Sequence, residues 1–350
     1  MSNFIITDLL YKHSLLTDKL TIIDCGAAGG SFQEWASLAD KIVIHGFDPN
    51  KDECQRLNED AKAKGLQHYY YPFLIAGDSE KRSFYLTNKG DSNSLFRPDD
   101  QLIARFKQKY CDHQWISTSE TVGHKETIQV GTTSLKTWAH QHSILDIDFI
   151  KLDVQGAELE ILKGAGNLLN SVICMNIEVW FVPVYKEQPL FADIDIFVRN
   201  KQFDFYTFVI NTAGQYAGRV ASPVSFGNIN SAFTQRFAGQ LLTADALYFK
   251  DPLHNSGSVS TSKKLKLICF AEMNCQVEYA FELLHNLCQD YGEQRKIQNT
   301  ISQIIDEAAS RYPTYVLKKQ ISSRFLNYSN SIKSRLYKKI KPVILKMRQP

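Results

Sequence analysis

The chain has 350 residues, of which 44% are hydrophobic, and a net charge of +3 that results from 40 basic and 37 acidic side chains. This length and apolar content predict one large α/β domain with a smaller addition, and they exclude a wholly disordered chain. The seven cysteines are scattered and form no Cys-x-x-Cys pair, which argues against a disulfide framework and a zinc site and for a reducing compartment.

The sequence shows no pattern of a membrane-spanning or exported protein. The first residues lack a basic start followed by a long apolar core, so no signal peptide is expected. No apolar run reaches the roughly 18 residues that a transmembrane helix requires. We therefore expect a cytoplasmic protein, either free or bound peripherally at the inner face of the membrane.

The first predicted strand, residues 20–23, leads directly into an acidic and glycine-rich turn, Asp24-Cys25-Gly26-Ala27-Ala28-Gly29-Gly30. Small residues let the backbone turn tightly and approach a ligand closely. Ser31 and Glu34, three positions apart, form a capping-box pattern, which predicts that a helix begins here.

A second strand, predicted over residues 41–47, ends in Asp48-Pro49-Asn50. In β-loop-α-β units an acidic residue about 20 positions past the first glycine binds the ribose hydroxyls of a nucleotide. Asn50 and Glu53 form a second capping-box pattern, and Gly65 predicts where that helix ends.

Two classes of cofactor use such a unit. Dinucleotide-binding folds usually carry G-x-G-x-x-G, whereas this turn reads G-A-A-G-G and follows Asp24, a carboxylate that would repel a diphosphate at short range. S-adenosylmethionine carries an ammonium and a sulfonium group and no phosphate. The pattern therefore favours S-adenosylmethionine and disfavours an NAD-dependent oxidoreductase.

Further strands are predicted along the next hundred residues. Residues 67–75 form a third strand, and the turn Ala76-Gly77-Asp78 that follows is a candidate rim for the adenine. Residues 83–86 and 127–130 are the clearer strands of a hairpin-like region.

The stretch DFIKLDVQGAELEILKGA, residues 148–165, joins a short apolar strand to a polar cluster and then to a helical pattern. Asp153 and Glu158 in this stretch would lie at the carboxyl edge of the sheet, where open α/β folds bind ligands. The alternative is that Asp153 merely caps the next helix. The glycine-rich turn and Asp48 decide in favour of a site.

With these pieces in order over roughly residues 20–250, the chain resembles the FkbM-type S-adenosylmethionine-dependent methyltransferases. The resemblance implies a Rossmann-like class I methyltransferase fold, a seven-stranded mostly parallel sheet, and O-methylation, often of sugar hydroxyls. The matching stretches are DCGAAGG, GFDPN and FIKLDVQGAELEILKGA, then SNSLF (92–96), TTSLKTW (132–138), IEVWFVPVY (177–185), QPLFADIDIFVRNKQFDFYTF (188–208) and ALYFK (246–250).

The candidate site residues follow from the turn, the two strand ends and the resemblance. The candidates for cofactor binding are Asp24, Gly26, Ala27, Gly29, Gly30, Asp48, Pro49, Ala76, Asp78 and Asp153. The candidates for catalysis are Asp153, Glu158, Glu178 and His124.

Asp153 is the first choice among the catalytic candidates, because the fourth strand ends beside the transferred methyl group in related folds. Glu158 either binds substrate or caps its helix. Glu178, two residues before Trp180, is either a carboxylate beside an aromatic platform for a sugar ring or a strand-end carboxylate in solvent. His124 lies on a polar loop, where it either reaches the cleft as a base or is simply solvated.

No residue is assigned as a metal ligand. A divalent metal held by Asp153 and Glu178 together with substrate oxygens has no motif in its support.

The last strands complete one predicted domain, residues 1–250. A fifth strand covers residues 172–178, a helix 193–201, and a strand 205–210, before the closing strand at 246–250. A lid or substrate loop is predicted over residues 211–243. A linker over residues 251–264 then leads to a helical extension, residues 265–350.

The end of the chain differs from the rest in charge. Residues 311–350 contain eleven basic side chains and no acidic one, which leaves a net charge of −8 for residues 1–310. An apolar stripe at helical spacing predicts an amphipathic helix between Pro313 and Pro342. The stripe consists of Leu317, Ile321, Phe325, Tyr328, Ile332, Leu336 and Ile340.

Three interpretations of this helix stay open. Residues 313–348 lie on an anionic membrane surface, or the stripe packs on the preceding helices or on a second subunit of an oligomer. Binding to nucleic acid is the least favoured.

The sequence thus predicts an S-adenosylmethionine-dependent O-methyltransferase for a hydroxyl of a sugar in a glycan or glycolipid precursor. The alternative is a non-catalytic nucleotide-sugar or glycan-binding module on a Rossmann scaffold.

Overall fold

The computed structural model describes residues 4–30, 33–109, 115–209, 216–221, 239–254, 259–291 and 294–328. By its internal contacts the chain divides into two units. We call Thr17–Phe270 the sheet unit, and Met1–Leu16 together with Ala271–Pro350 the helical unit.

The regular elements follow one another along both units. The strands are β1 (Leu20–Cys25), β2 (Ile42–Phe47), β3 (Gln67–Tyr71), β4 (Leu74–Ala76), β5 (Lys81–Thr87), β6 (Phe106–Lys109), β7 (Trp115–Ser117), β8 (His124–Ser134), β9 (Phe149–Leu152), β10 (Cys174–Trp180), β11 (Asp204–Val209), β12 (Tyr216–Arg219), β13 (Gln240–Leu241) and β14 (Thr243–Phe249). The α-helices are α1 (Ile5–Lys12), α2 (Lys51–Ala63), α3 (Asp100–Ile103), α4 (Ser119–Val122), α5 (Leu135–Gln141), α6 (Glu158–Ala165), α7 (Phe191–Arg199), α8 (Thr261–Met273), α9 (Val277–Asp290) and α10 (Arg295–Tyr328). Short 3₁₀ helices cover Gln33–Lys41, Gly90–Ser92 and Gly166–Asn170.

Seven strands form the main sheet, in the order β11-β14-β10-β9-β1-β2-β3. The contacts of β1 with β2 and β9, of β2 with β3, and of β9 with β10 are parallel, whereas β14 runs antiparallel to both of its neighbours. The seven-stranded, mostly parallel sheet predicted from the sequence is therefore confirmed. Its carboxyl edge carries the turns after β1, β2 and β9.

One face of the main sheet is a continuous apolar core. Ile23, Ile150 and Ile177 point to this face and are completely buried, together with side chains from α5, α6 and α7. On the opposite face Phe149 lies between two aromatic rings, with ring centroids 5.6 Å from Trp35 and 5.2 Å from Phe270. Burial on both faces explains why β1 and β9 read as apolar runs.

Two smaller sheets flank the main one. In the first, β5 pairs with β8 antiparallel, as predicted from residues 83–86 and 127–130, and β4 joins β8 in parallel. In the second, the order is β13-β12-β6-β7.

The predicted third strand, residues 67–75, is in fact two strands. Pro72 lies between β3 and β4, and because proline has no amide hydrogen it cannot continue the ladder. The chain therefore leaves the main sheet at Tyr71, and β4 pairs with β8 instead.

The helix predicted after the glycine-rich turn is a 3₁₀ helix, Gln33–Lys41, rather than an α-helix. Ser31, the predicted cap of this helix, lies outside the described residues. The predicted lid over residues 211–243 also lies mostly outside them. Its described parts include β12 and β13.

In the helical unit a buried carboxylate caps the first helix. Glu272 accepts hydrogen bonds from the backbone amides of Ile6 and Thr7, each at 2.7 Å, and from the Thr7 hydroxyl at 2.7 Å. Phe4, the residue before α1, has no side chain that could cap these amides. The hydroxyl of Tyr312 on α10 also donates to Glu272.

The helix α10 runs without interruption from Arg295 through Pro313 to Tyr328, so Pro313 does not begin a new helix as predicted. A proline within a helix removes one hydrogen bond, and the helix continues where the neighbouring turns keep theirs. Pro342 lies outside the described residues. Within the described part of the chain, none of the helices combines the length and the apolar character that crossing a membrane requires.

The division into units differs from the predicted domain boundaries in two respects. Residues 1–16 group with the C-terminal helices rather than with the sheet. In addition, α8 begins at Thr261, inside the stretch predicted as a linker over residues 251–264.

Candidate cofactor and acceptor site

A cavity of about 630 Å³ opens at the carboxyl ends of β1, β2 and β9. Its size lies within the range of small-molecule sites. We call it the cofactor cavity, because it is lined by residues that the sequence predicts to bind the cofactor. Its lining includes four of the predicted cofactor residues, namely Gly26, Asp48, Pro49 and Asp153.

Another part of the lining of the cofactor cavity is apolar and comes from β4, β5, β8 and two loop residues, Phe73 and Leu95. It includes Phe73, Leu74, Ile75, Phe84, Leu86, Leu95, Ile128 and Val130. The sequence reasoning did not identify these residues as site residues. The SNSLF stretch, which contains Leu95, was the available signal.

Gly26 brings the turn after β1 against the end of β9. Its backbone has φ +92°, and a Cβ atom at this position would lie 2.0 Å from the carbonyl oxygen of Asp153. Only glycine fits here, because any side chain would collide with that backbone atom. The amides of Gly26 and Ala27 both donate to the carbonyl oxygen of Phe47, at 3.0 and 3.1 Å, which joins the turn to the end of β2.

Asn50 caps α2 as the sequence predicts, since its side chain accepts a hydrogen bond from the Glu53 amide at 3.1 Å. The Glu53 side chain does not complete the capping box. Instead it accepts a hydrogen bond from the Gly29 amide at 3.1 Å and from the guanidinium of Arg56, which lowers the pKa of Glu53. The helix is thereby attached to the glycine-rich turn.

Asp48 lies at the cavity with its carboxylate held in place. Its Oδ1 atom accepts a hydrogen bond from the Asn50 amide at 2.7 Å. Burial raises the pKa of Asp48, and this backbone hydrogen bond opposes the increase. A carboxylate in this position has free acceptor capacity toward the cavity.

The other predicted cofactor residues do not line the cavity. Ala27 packs in a small apolar cluster, and Gly29 and Gly30 shape the turn, with φ +80° and +87°. Ala76 is buried in the core, and Asp78 accepts a hydrogen bond from Thr132. Ile75, one position earlier, lines the cavity in place of the predicted rim residues.

Asp24 is only 2% exposed and faces the ammonium group of Lys151, its neighbour on β9, at 3.7 Å. The same ammonium group lies 3.4 Å from Asp153. Burial alone would lower the pKa of Lys151, but the carboxylates of Asp24, Asp153 and Asp245 raise it well above its ordinary value. Lys151 therefore carries a full positive charge among these acids.

Gln155 connects the cofactor cavity with Glu178. Its side-chain amide donates to Asp153 and to Glu178, at 3.0 Å each, and its amide oxygen accepts a hydrogen bond from the Tyr185 hydroxyl at 3.1 Å. Sequence reasoning did not single out Gln155. The signal that could have identified Gln155 as a site residue is its position between Asp153 and Gly156 in the DVQG stretch.

Glu178 is held by Gln155 and is surrounded by further acids. Burial is the largest cause that raises the pKa of Glu178, followed by the charges of Asp153 and Glu158. Asp245 lies directly opposite Glu178 on β14. Burial, with the charge of Asp153, raises the pKa of Asp245 to about 6.

Glu158 is completely buried and does not line the cofactor cavity. Its Oε1 atom accepts hydrogen bonds from the amides of Val154 and Gly156, both at 3.1 Å. Burial raises the pKa of Glu158 to about 7. Of the two predicted roles, this geometry agrees with capping, here of the turn that precedes α6.

His124 lies at the start of β8 and is also not among the lining residues of the cavity. Its Nε2 atom is 2.8 Å from the hydroxyl of Thr127, and its ring contacts the ring of Tyr85. In the part of the chain that the structure describes, no three His, Cys, Asp or Glu side chains are grouped so that they could hold a metal ion.

Comparison with known proteins places these features in a family. Residues 24–205 match the family described as the methyltransferase FkbM domain, which is slightly more than half of the chain. The 2-O-methyltransferase NoeI of Sinorhizobium fredii strain NGR234 is 24% identical over 177 residues, which cover 50% of this chain and 70% of that protein.

The similar solved structures have low sequence identity to this chain. Magnesium protoporphyrin IX methyltransferase of Synechocystis PCC 6803, with bound S-adenosylmethionine, is 12% identical, with a TM-score of 0.32 over 70% of this chain and 76% of that one. TehB of Haemophilus influenzae is 14% identical, with a TM-score of 0.31 over 70% of this chain and 62% of that one.

Proposed function

We propose that this chain, which belongs to the FkbM methyltransferase family and is an S-adenosylmethionine-dependent methyltransferase, methylates a hydroxyl group of a sugar in a glycan or glycolipid precursor. The name of NoeI, a 2-O-methyltransferase, supports oxygen as the atom that accepts the methyl group.

The charge of the cofactor cavity is the observation that carries the proposal. The lining contains three carboxylates, Asp48, Asp91 and Asp153, and among its described residues no basic side chain. Such a lining fits S-adenosylmethionine, which carries positive charges and no phosphate, and it disfavours a dinucleotide. Asp48 would bind the ribose hydroxyls, and the apolar wall would contact the adenine.

When bound, S-adenosylmethionine supplies a methyl group that is already activated by the sulfonium. The protein must then hold the acceptor oxygen in line and remove its proton. Asp153 serves as the base, because its carboxylate lies at the cavity and its orientation is held by Gln155 at 3.0 Å and Lys151 at 3.4 Å. One of its carboxylate oxygens takes the proton from the acceptor hydroxyl.

Calorimetric titration with S-adenosylmethionine tests the cofactor assignment. We expect Asp48→Ala to weaken binding by at least about tenfold, since the loss of hydrogen bonds to a charged group costs about 1.5–3 kcal/mol. Asp60→Ala is the matched control, because Asp60 lies on α2 in an exposed ion pair with Lys64. Equal affinities of Asp48→Ala and the wild type would contradict the assignment.

Methyl transfer to glycan and glycolipid precursors, followed by mass spectrometry, tests the reaction. The wild-type chain should add the mass of one methylene group to a sugar. Asp153→Asn should keep its affinity for the cofactor and lose about a hundredfold or more in rate, the scale of general-base catalysis. Glycan binding without any methyl transfer by the wild type would instead favour the non-catalytic alternative.

A further inference from the structure

A second group of polar side chains lies on the same face of the main sheet as Lys151, beyond the cofactor cavity. Side chains alternate along a strand, so Asn176, Glu178 and Trp180 of β10 share this face. The antiparallel register with β14 places Asp245 opposite Glu178 and Thr243 opposite Trp180. The face therefore carries two carboxylates, a hydroxyl, an amide and an indole in neighbouring positions.

Three of these groups have buried polar atoms without a hydrogen bond. The indole Nε1 of Trp180, the hydroxyl of Thr243 and the amide oxygen of Asn176 have no partner within the described chain. The side chains of Trp180 and Thr243 are only 5% and 7% exposed. Buried polar atoms are nearly always paired, so a row of three unpaired atoms indicates a partner from outside the protein.

The charges on this face define which partner fits. The ammonium group of Lys151 is near the carboxylates of Asp24, Asp153 and Asp245, and Glu178 lies opposite Asp245. An anionic ligand would be repelled here, whereas hydroxyl groups can donate to the carboxylates. A hydroxyl or ring oxygen can also accept a hydrogen bond from the indole of Trp180. A polyhydroxylated ring meets both requirements.

Gln155 links this face with the cofactor cavity. Its side-chain amide contacts Asp153, which lines the cavity, and Glu178, which belongs to the polar face. A ring bound against Glu178 therefore has its hydroxyls next to the carboxylate that we assign as the base.

We propose that Glu178, Asp245, Thr243 and Trp180 form the acceptor subsite, that it binds an uncharged polyhydroxylated ring, and that it rejects rings with a carboxylate or phosphate group. This inference rests on the proposed function, because it assigns the acceptor of that methyl transfer.

Two probes that differ at one carbon test the subsite, namely methyl glucoside and methyl glucuronide. Saturation-transfer NMR is recorded on the full chain saturated with S-adenosylhomocysteine. We expect transfer to the glucoside, and a signal at least about tenfold weaker for the glucuronide, since a like charge at this face costs more than 1.4 kcal/mol. Equal transfer to both rings, or transfer to neither, overturns the subsite.

Two conservative variants test whether Thr243 and Trp180 contribute to binding of the glucoside. Thr243→Val and Trp180→Phe keep the shape and remove one polar group each, and each should weaken glucoside binding by about three- to tenfold, the scale of one hydrogen bond. Thr207→Val on β11 is the control and should bind the glucoside like the wild type. Unchanged binding in both Thr243→Val and Trp180→Phe overturns the assignment.

The affinity for S-adenosylhomocysteine, measured by calorimetry, should be the same in all three variants, which shows that they are folded. The comparison of the two rings on the wild type needs no variant and decides the proposal by itself. Methylation of a glycan precursor with no preference between the rings would refute the subsite and leave the proposed function intact. Ring preference without methyl transfer would refute the function alone.

Discussion

At the scale of single residues, the turn Gln155-Gly156 concentrates the unusual backbone of the site. Gln155 has φ +58°, a left-handed conformation that is uncommon for a residue with a side chain, and Gly156 follows with φ +105°. Ser94 holds the turn by donating a hydrogen bond to the carbonyl oxygen of Gln155 at 2.6 Å. The strained backbone is what directs the side-chain amide of Gln155 between Asp153 and Glu178.

Asp245→Asn should stabilise the protein at neutral pH. The carboxyl pKa of Asp245 is raised in the folded state from 3.8 to about 6, so the wild type loses stability as the pH rises through this window. The amide cannot ionise and avoids this loss, which amounts to at most about 3 kcal/mol at pH 7.

Urea denaturation of Asp245→Asn and the wild type at pH 4 and pH 7 measures this effect. The stability advantage of the variant should be larger at pH 7 than at pH 4. An advantage that is independent of pH would show that the charge of Asp245 is not its cause.

Sequence reasoning found those site residues whose position follows from the end of a predicted strand. Gly26 and Asp48 follow strands directly, so the strand pattern places them at the cavity without knowledge of the packing. The apolar wall, such as Phe84 and Ile128, comes from strands distant in sequence, and no local pattern indicates which face of β5 and β8 turns toward the cavity. The capping geometry of Glu158 likewise depends on the fold of the turn before α6.

At the scale of elements, helix α6 and the loop after β4 approach each other so closely that each has a glycine at the contact. A Cβ atom on Gly164 would lie 2.5 Å from the carbonyl oxygen of Gly77. This close approach fixes the loop whose preceding residues, Leu74 and Ile75, line the cofactor cavity.

Gly164→Ala should therefore destabilise the protein, although alanine is the better helix former by about 1 kcal/mol. The collision with backbone atoms that cannot move aside should lower the free energy of unfolding by about 1–3 kcal/mol. Gly131→Ala in β8 is the matched control, because apart from the residue itself and its two chain neighbours no heavy atom lies within 4 Å of the position that its methyl group would take. Urea denaturation measures both, and a Gly164→Ala variant as stable as the control would contradict the expectation.

The start of α8 is attached to the sheet by a buried ion cluster. Asp148, completely buried before β9, accepts hydrogen bonds from the Thr21 amide at 2.8 Å, from Lys263 at 2.6 Å and from Lys266 at 2.8 Å. Two ammonium groups share one carboxylate here, and neither is reached freely by solvent.

Asp148→Asn should lower the free energy of unfolding by about 3–5 kcal/mol, because it leaves the buried Lys266 without a negative partner and removes one of the two carboxylates that Lys263 contacts. Asp146→Asn is the control. Asp146 also pairs with Lys263, at 2.5 Å, but is 69% exposed, and its loss should cost less than about 1 kcal/mol. Tryptophan fluorescence during urea denaturation measures both, and equal losses in the two variants would refute the distinction.

The main strands were predictable because each combines an apolar run with a polar end. The exceptions have local physical causes, such as Pro72, which ends β3, and the tight glycine-rich turn, which is followed by a 3₁₀ helix. The strands β6, β7, β12 and β13 were not predicted, since short strands at the edge of a domain carry little apolar periodicity. Their pairing connects parts of the chain that lie about a hundred residues apart.

At the scale of the whole molecule, charge is distributed unevenly along the chain. The eleven basic residues of positions 311–350 contrast with a net charge of −8 in the rest. We propose that this basic segment attaches the protein to an anionic membrane surface, where each basic residue contributes about 1 kcal/mol. Packing on another subunit is the competing explanation.

Co-sedimentation with vesicles that contain phosphatidylserine tests the attachment on the full-length chain. Six substitutions to Gln, at Lys333, Arg335, Lys338, Lys339, Lys341 and Lys346, should reduce binding by more than about a hundredfold, since each removes about 1 kcal/mol. The control carries six substitutions to Gln at exposed lysines of the sheet unit. These are Lys62, Lys64, Lys125, Lys136, Lys186 and Lys201.

The control should bind vesicles like the wild type, and neither protein should sediment with neutral phosphatidylcholine vesicles. Equal losses in the two sets of variants, or equal binding to neutral vesicles, would contradict a specific electrostatic attachment. Salt should weaken the binding, because it screens exposed charges.

The antiparallel strand β14 also determines the order in which the domain can assemble during synthesis. It lies between β10 and β11, although it follows both in the chain. Until Thr243–Phe249 have been synthesised, β10 presents an unpaired edge and β11 has no neighbour in the main sheet. A nascent chain that stops before residue 243 thus exposes an edge strand capable of pairing with other chains. The pairing of β14 with β10 and β11 is therefore the step that covers this edge and protects the growing polypeptide from aggregation.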